Sequence, residues 1–176
     1  TPPHDIRDQD YKQHLPSGAG SEILLEVFHR SRDLFPTLDS ADANAAWLWG
    51  QGRPAMLEPF EHRFGLRGVM ICAVDLVRGL ATLIGWPCIP VEGATGNVDT
   101  NYRGKGEAAV GAVDDYDLVC VHVEAPDEAV HQGNAEQKTW TLEEIDRHIV
   151  RPLTERLSAE TNWRLMVMPD HPTPCG

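Results

Sequence analysis

Apolar residues recur at helical spacing from Ser21 onward, through Ile23, Leu24, Val27, Phe28 and Leu34. With Ser21 placed to cap and Glu22 in the first turn, this stripe predicts a helix over 21–35. Ala45-Ala46-Trp47-Leu48-Trp49 is a short apolar run halted by Gly50-Gln51-Gly52-Arg53-Pro54, and Arg67 to Ala73 is a second such run. Both read as strands. After the second, Val74, Leu76, Val77, Leu80 and Leu83 keep helical spacing as far as Gly85. Pro87 to Val91 predicts a third strand, Gly93 to Tyr102 a turn-rich loop, and Gly104 to Val113 a helix of small residues. Asp117 to Val123 is the clearest strand. A long helix is predicted from about Glu136 to Leu157, marked by Ile145, Ile149 and Leu153, and Arg164 to Met168 forms a last strand.

Strands that are apolar throughout, separated by helical stretches, are buried on both faces. They imply an α/β fold with a mostly parallel sheet and crossover helices on both faces. Sites in such folds lie beyond the carboxyl ends of the strands. Residues 1–20 are rich in Pro, Gly and polar side chains without a sustained period, and read as a linker, leaving 21–176 as the domain proper.

Composition narrows the function classes. Over 176 residues, 41% are hydrophobic, enough to bury a core without disulfides, and the four cysteines include no CxxC pair. A reducing cytoplasm fits this usage. The formal net charge of −12 and scattered basic residues give no stripe to track a phosphate backbone, so neither nucleic acid nor an anionic membrane is expected as a partner. No apolar run approaches the roughly 20 residues of a membrane span, and the start lacks a secretory signal pattern. Such an acidic balance also repels a small phosphorylated substrate unless local Arg, Lys or metal charge overrides it.

Acid and imidazole occur together after two of the predicted strands. Asp127 and His131, four apart, share one face if 127–133 is helical, which Pro126 favours in a first turn, and can then grip one cation. Asp170 and His171 are adjacent, so their side chains are expected to diverge towards two ions, or an ion and a phosphate. Mixed carboxylate and imidazole donors favour Mn²⁺ or Zn²⁺ over Ca²⁺. Taken alone, an Asp-x3-His is more often a surface ion pair on a helix, and an Asp-His after a strand more often a turn. Arg53, after the Gly50-Gln51-Gly52 turn, is a candidate to take a phosphate or carboxylate, or is a plain surface arginine. Lys105 has the same two readings. It is not part of a Walker P-loop, since Gly106 follows it where Ser or Thr is required. Trp47 and Trp49 are assigned to core packing.

The segments around these residues are Val121-His122-Val123-Glu124-Ala125-Pro126-Asp127-Glu128-Ala129-Val130-His131 and Met168-Pro169-Asp170-His171-Pro172-Thr173-Pro174. With Pro2-Pro3-His4-Asp5-Ile6, Leu15-Pro16-Ser17-Gly18, Asn44-Ala45-Ala46-Trp47-Leu48-Trp49-Gly50-Gln51-Gly52-Arg53-Pro54, Phe64-Gly65-Leu66-Arg67-Gly68 and Gly93-Ala94-Thr95-Gly96 followed by Asp99-Thr100-Asn101-Tyr102, they cover nearly the whole chain. Together they resemble the archaeal-type cofactor-independent phosphoglycerate mutases of the alkaline phosphatase superfamily.

The resemblance implies an alkaline phosphatase-like core, present in part. It implies two divalent metal ions, Mn²⁺ before Zn²⁺, Co²⁺ or Mg²⁺, with Asp127 and His131 on one ion and Asp170 and His171 on the other. Arg53 and Lys105 are carried as substrate-binding candidates. The implied reaction moves a phosphoryl group between the 2- and 3-hydroxyls of a phosphorylated three-carbon acid through a phosphoenzyme. Val130 and Asn134 depart from the family pattern, which has Gly and Asp there. The family's opening metal-binding Asp, its nucleophile and a later His have no counterpart in these residues, and residues 1–20 match the exit from an inserted domain. A portion of a longer enzyme, itself inactive, is therefore expected. The alternatives are a related metal-dependent phosphatase or phosphonopyruvate-processing enzyme, and a non-catalytic module that keeps the scaffold.

Overall fold

The structure is a computed structural model that describes residues 1–6, 8–38, 43–53 and 55–174. The chain divides into two compact units, Thr1–Pro54 and Ala55–Gly176.

In the first unit, helix α1 (Ser21–Leu34) presents Phe28 to two aromatic rings, Tyr11 at 5.6 Å and Trp47 edge-on at 5.8 Å. Ser31 Oγ donates to the Phe28 carbonyl at 2.8 Å and accepts the Ala46 N–H at 2.8 Å, fastening the Trp47 segment to α1. The Trp47 indole N–H donates to the Thr1 carbonyl at 2.9 Å. Ser21 is the first helical residue and not the cap. Gly20, in a left-handed conformation, takes the cap position without a side-chain bond.

The second unit is built on two parallel strands, β1 (Gly68–Ile71) and β2 (Leu118–Val121), paired Gly68 to Leu118 through Ile71 to Val121. Arg67 and Asp117 clamp the entry, with the Arg67 N–H on Asp117 Oδ2 at 2.8 Å. The ladder runs one step past β2, where the His122 N–H donates to the Ile71 carbonyl at 2.9 Å.

Alternate residues of the strands face opposite layers. Ile71, Val119 and Val121 pack with Ala109, Ile149 and Leu153, from helices α4 (Tyr102–Ala112) and α7 (Arg151–Leu157) and the wide turn before α7. Met70, Cys72 and Cys120 pack on the other face with Val77 and Ala81 of α3 (Asp75–Leu83). Helices thus cover both faces of a parallel sheet, as the apolar runs predict. The short helix α2 (Phe60–Phe64) sets Phe60 edge-on against Trp86 at 4.9 Å.

The long helix predicted near the carboxyl end is present, in three pieces. Helix α6 (Ala135–Ile145) runs through a π-turn at Asp146–Val150 into α7. The π-turn lays the His148 carbonyl against Gly106 of α4, where a Cβ would run into that oxygen. Gly106 is required by this close approach of two helices.

Three expected strands differ. Residues 45–49 form no strand among the described residues, and the Ala46 N–H is taken by the Ser31 side chain of helix α1. Residues 87–91 make a single parallel bridge, Cys88 beside Met70, and leave the ladder after Ile89. Residues 164–168 have no strand alongside to accept their backbone bonds among the described residues. Leu165 reaches the core, while Met166 is 78% exposed. An apolar run supplies the propensity for a strand, and a neighbour must supply the ladder.

Candidate metal centre at the end of strand β2

Helix α5 (Ala125–His131) begins four residues beyond β2, with Pro126 in its first turn where the missing N–H is harmless. Its i, i+4 spacing brings His131 Nε2 to 3.0 Å from Asp127 Oδ2. Asp127 is the more enclosed partner, its side chain 22% exposed against 65% for His131. Val130, where the family pattern has Gly, is buried, and its neighbours Ala125 and Ala129 seat α5. Gly133, at φ +67°, turns the chain sharply, and Asn134 caps α6 by accepting the Gln137 N–H at 2.9 Å. The second departure from the pattern therefore keeps an N-cap.

The segment carrying Asp170 and His171 returns to this helix. Thr173 donates its hydroxyl to Asp127 Oδ1 at 2.7 Å, and the same oxygen stands 3.1 Å from His171 Nδ1. Lys138 of α6 donates Nζ to the Thr173 carbonyl at 2.7 Å. Asp127, His131 and His171 are thus joined through one threonine. Asp170 and His171 diverge less than adjacency suggests, with Oδ2 and Nε2 3.9 Å apart, too long for a hydrogen bond.

Lys105 is where the sequence most understates the fold. It was equally readable as a solvated lysine, yet it is only 1% exposed, inside α4, with its Nζ on the His122 carbonyl at 3.2 Å. Burial lowers its pKa, with Cys72 and Glu124 acting the other way. His122 itself sets Nε2 3.2 Å from Glu124 Oε2, while its Nδ1 is buried without a hydrogen-bond partner among the described residues. The Lys105 ammonium, carried by α4, therefore meets the short loop that leads from β2 into α5, where His122 and Glu124 sit. Arg53 belongs to the first unit, exposed after the turn at Gly50.

Carboxylate and imidazole donors at this spacing suit a borderline divalent ion. Among the described residues no group of three or more His, Cys, Asp or Glu converges as one metal cluster. The donor types fit a divalent metal, and each pair offers two of the roughly four or more ligands that a coordination shell would need.

A family model described as the metalloenzyme superfamily matches residues 19–176. The chain belongs to that superfamily. This metalloenzyme chain is 43% identical, over 99% of its own length, to the 2,3-bisphosphoglycerate-independent phosphoglycerate mutase of Methanothrix thermoacetophila. It is 45% identical, over 98% of its length, to mutase 2 of Methanothermobacter thermautotrophicus. The matches cover 47% and 45% of those relatives, so the chain spans about half the length of the curated relatives it matches. Among solved structures, the PH0037 protein from Pyrococcus horikoshii matches 57% of this chain and 31% of its own, at 33% identity and a TM-score of 0.54. These matches agree with the resemblance carried by the motifs and with an alkaline phosphatase-like α/β core.

Sequence reasoning did not single out Thr173, Lys138, His122 or Glu124. A signal existed for two of them. Thr173 lies two residues from His171, close enough in sequence to share its surroundings, and His122 is the one imidazole in an otherwise apolar strand end.

Proposed function

We propose that this chain is the metal-binding portion of a metal-dependent phosphoglycerate mutase that interconverts 2- and 3-phosphoglycerate through a phosphoenzyme. The observation that carries the reading is the joining of Asp127, His131 and His171 through Thr173 just beyond β2. Relatives named as this mutase, similar along nearly all of the chain, support it.

Asp127 with His131 would hold one divalent ion and Asp170 with His171 a second, with Mn²⁺ the preferred metal. Such ions neutralise charge on a transferring phosphoryl group and its attacking and leaving oxygens. They also supply the positive field that a chain of net charge −12 lacks. On this reading the remaining donors and the nucleophile would come from outside the half of the curated relatives that this chain matches.

The chain's own residues have roles that follow from their places. Asp127 holds His131 on one face of α5, and Thr173 holds the Asp170-His171 segment beside it. Lys105, whose Nζ donates to the His122 carbonyl among the described residues, would offer its remaining N–H donors to a phosphate or carboxylate oxygen at the end of β2. Arg53, on an exposed turn, is a second candidate for an anionic group. Residues 21–176 are read as the catalytic domain portion, entered from residues 1–20, and the enzyme as cytoplasmic.

The test is to follow products by ³¹P NMR when the gene product carrying this sequence meets 3-phosphoglycerate and Mn²⁺. The proposal expects 2-phosphoglycerate without stoichiometric free phosphate. Phosphate as the main product would instead assign the protein to the metal-dependent phosphatases.

A further inference from the structure

We propose that Thr173 is a positioning residue that ties Asp127 to His171 and fixes the neutral His171 ring with its proton on Nδ1 and its lone pair on Nε2. The proposal rests on the metal reading of Asp127 and His171 and deepens it.

The proton count decides the ring. A threonine hydroxyl has one hydrogen, and Thr173 gives it to Asp127 Oδ1 at 2.7 Å. Towards His171 Nδ1, 3.1 Å away, the Thr173 oxygen has only lone pairs left. The other oxygen near Nδ1 is the Pro172 carbonyl at 3.4 Å, which can only accept. Both neighbours thus require a donor, so Nδ1 carries the hydrogen. Nε2, 3.9 Å from the nearest Asp170 oxygen, makes no hydrogen bond there and keeps its electron pair.

This is the arrangement that prepares an imidazole for metal ligation, in which the distal nitrogen binds and the other is held by a hydrogen bond. The hydroxyl also spends its proton on Asp127, whose second oxygen holds His131 at 3.0 Å. One side chain therefore orients donors from two segments that are 44 positions apart, Asp127 and His171.

A purely structural latch is a different device, and Lys138 supplies it. Lys138 binds the Thr173 backbone carbonyl, which any residue at 173 provides, so the segment stays docked when the hydroxyl is removed. Thr173→Val keeps shape and carbonyl and loses only the hydroxyl, and Thr173→Ser restores it.

The experiment uses the full chain in two arms. ¹⁵N-histidine NMR without metal, at alkaline pH where imidazoles are neutral, reads the tautomer. Electron paramagnetic resonance of free Mn²⁺ during titration reads affinity. Wild type is expected to show His171 as the Nδ1–H form. Thr173→Val should give a mixture of tautomers and bind Mn²⁺ about 10–100-fold more weakly, with its thermal midpoint unchanged and Thr173→Ser restoring both readouts. A Thr173→Val protein whose His171 remains wholly Nδ1–H, or a Thr173→Ser protein that rescues nothing, overturns the proposal. If wild type binds no Mn²⁺ while Thr173→Val still shifts the tautomer, the positioning role stands and the metal reading of this chain falls.

Discussion

Lys105 and Cys72 are two buried titratable groups in the second unit, and each makes a prediction at the scale of one side chain. Burial lowers the Lys105 pKa below the ordinary lysine value of 10.5, so the native state binds this proton less tightly than the unfolded chain does. The cost of holding the ammonium buried is fully present below the folded pKa. It is relieved as pH rises from that value to 10.5, so wild-type stability gains there relative to Lys105→Met, which has nothing to titrate. Denaturant unfolding of both proteins across that window should show the gap moving in favour of wild type. At neutral pH Lys105→Met should be as stable as wild type or more so, while losing affinity for a phosphorylated acid. Cys72 is buried, and burial first, then the neighbouring Cys88 thiol, pushes its pKa up. Iodoacetamide should therefore label Cys72 at least about tenfold more slowly in the native protein than in denaturant, read by mass spectrometry. Cys175 lies outside the described residues.

Among the elements, α4 carries the most positional information for its length. Asn101 accepts the Gly104 N–H at 2.8 Å as an N-cap and donates its amide to the Glu92 carbonyl at 2.8 Å. Asn101→Ala should cost about 1–2 kcal/mol in denaturant unfolding, whereas Asn101→Asp should keep the cap and lose only the Glu92 bond. Gly106→Ala should cost about 1–3 kcal/mol or more, because its Cβ meets the His148 carbonyl of the π-turn. Helix α1, the strands around Met70 and Cys120, and the long helix after Asn134 were legible because each carries its periodicity within itself. The pairing of Asp127 with His131 was legible for the same reason, since i, i+4 geometry needs no tertiary context. The segments at 45–49 and 164–168 were misread as strands because a ladder depends on a partner that local pattern does not encode. The burial of Lys105 was hidden for a related reason: α4 is a run of small residues whose hydropathy scarcely distinguishes its inner face, and the packing of the π-turn decides it.

At the scale of the whole molecule, the apolar core of the second unit lies on both faces of its sheet, and that sheet sets the candidate centre at its carboxyl end. The helices on both faces leave β1 and β2 to deliver two loops, and the one after β2 carries Lys105's partner, Glu124 and helix α5. Among the described residues no helix is long and apolar enough to cross a membrane. The net charge of −12 leaves the attraction of a phosphorylated acid to local Arg, Lys or metal charge, so on the proposed reading function should fail on metal removal while the fold, whose core in the second unit is apolar, remains. Circular dichroism before and after chelation should therefore be unchanged. The central claim is that Asp127 holds a divalent ion that the reaction needs. The measurement is isomerisation of 3-phosphoglycerate by the metal-stripped gene product, with Mn²⁺ added back, for wild type and Asp127→Asn. The account predicts no turnover without metal, recovery on Mn²⁺ in wild type, and a loss of about 10²-fold or more in Asp127→Asn at the same Mn²⁺. Full turnover in chelator, or an Asp127→Asn protein as active as wild type, would contradict it.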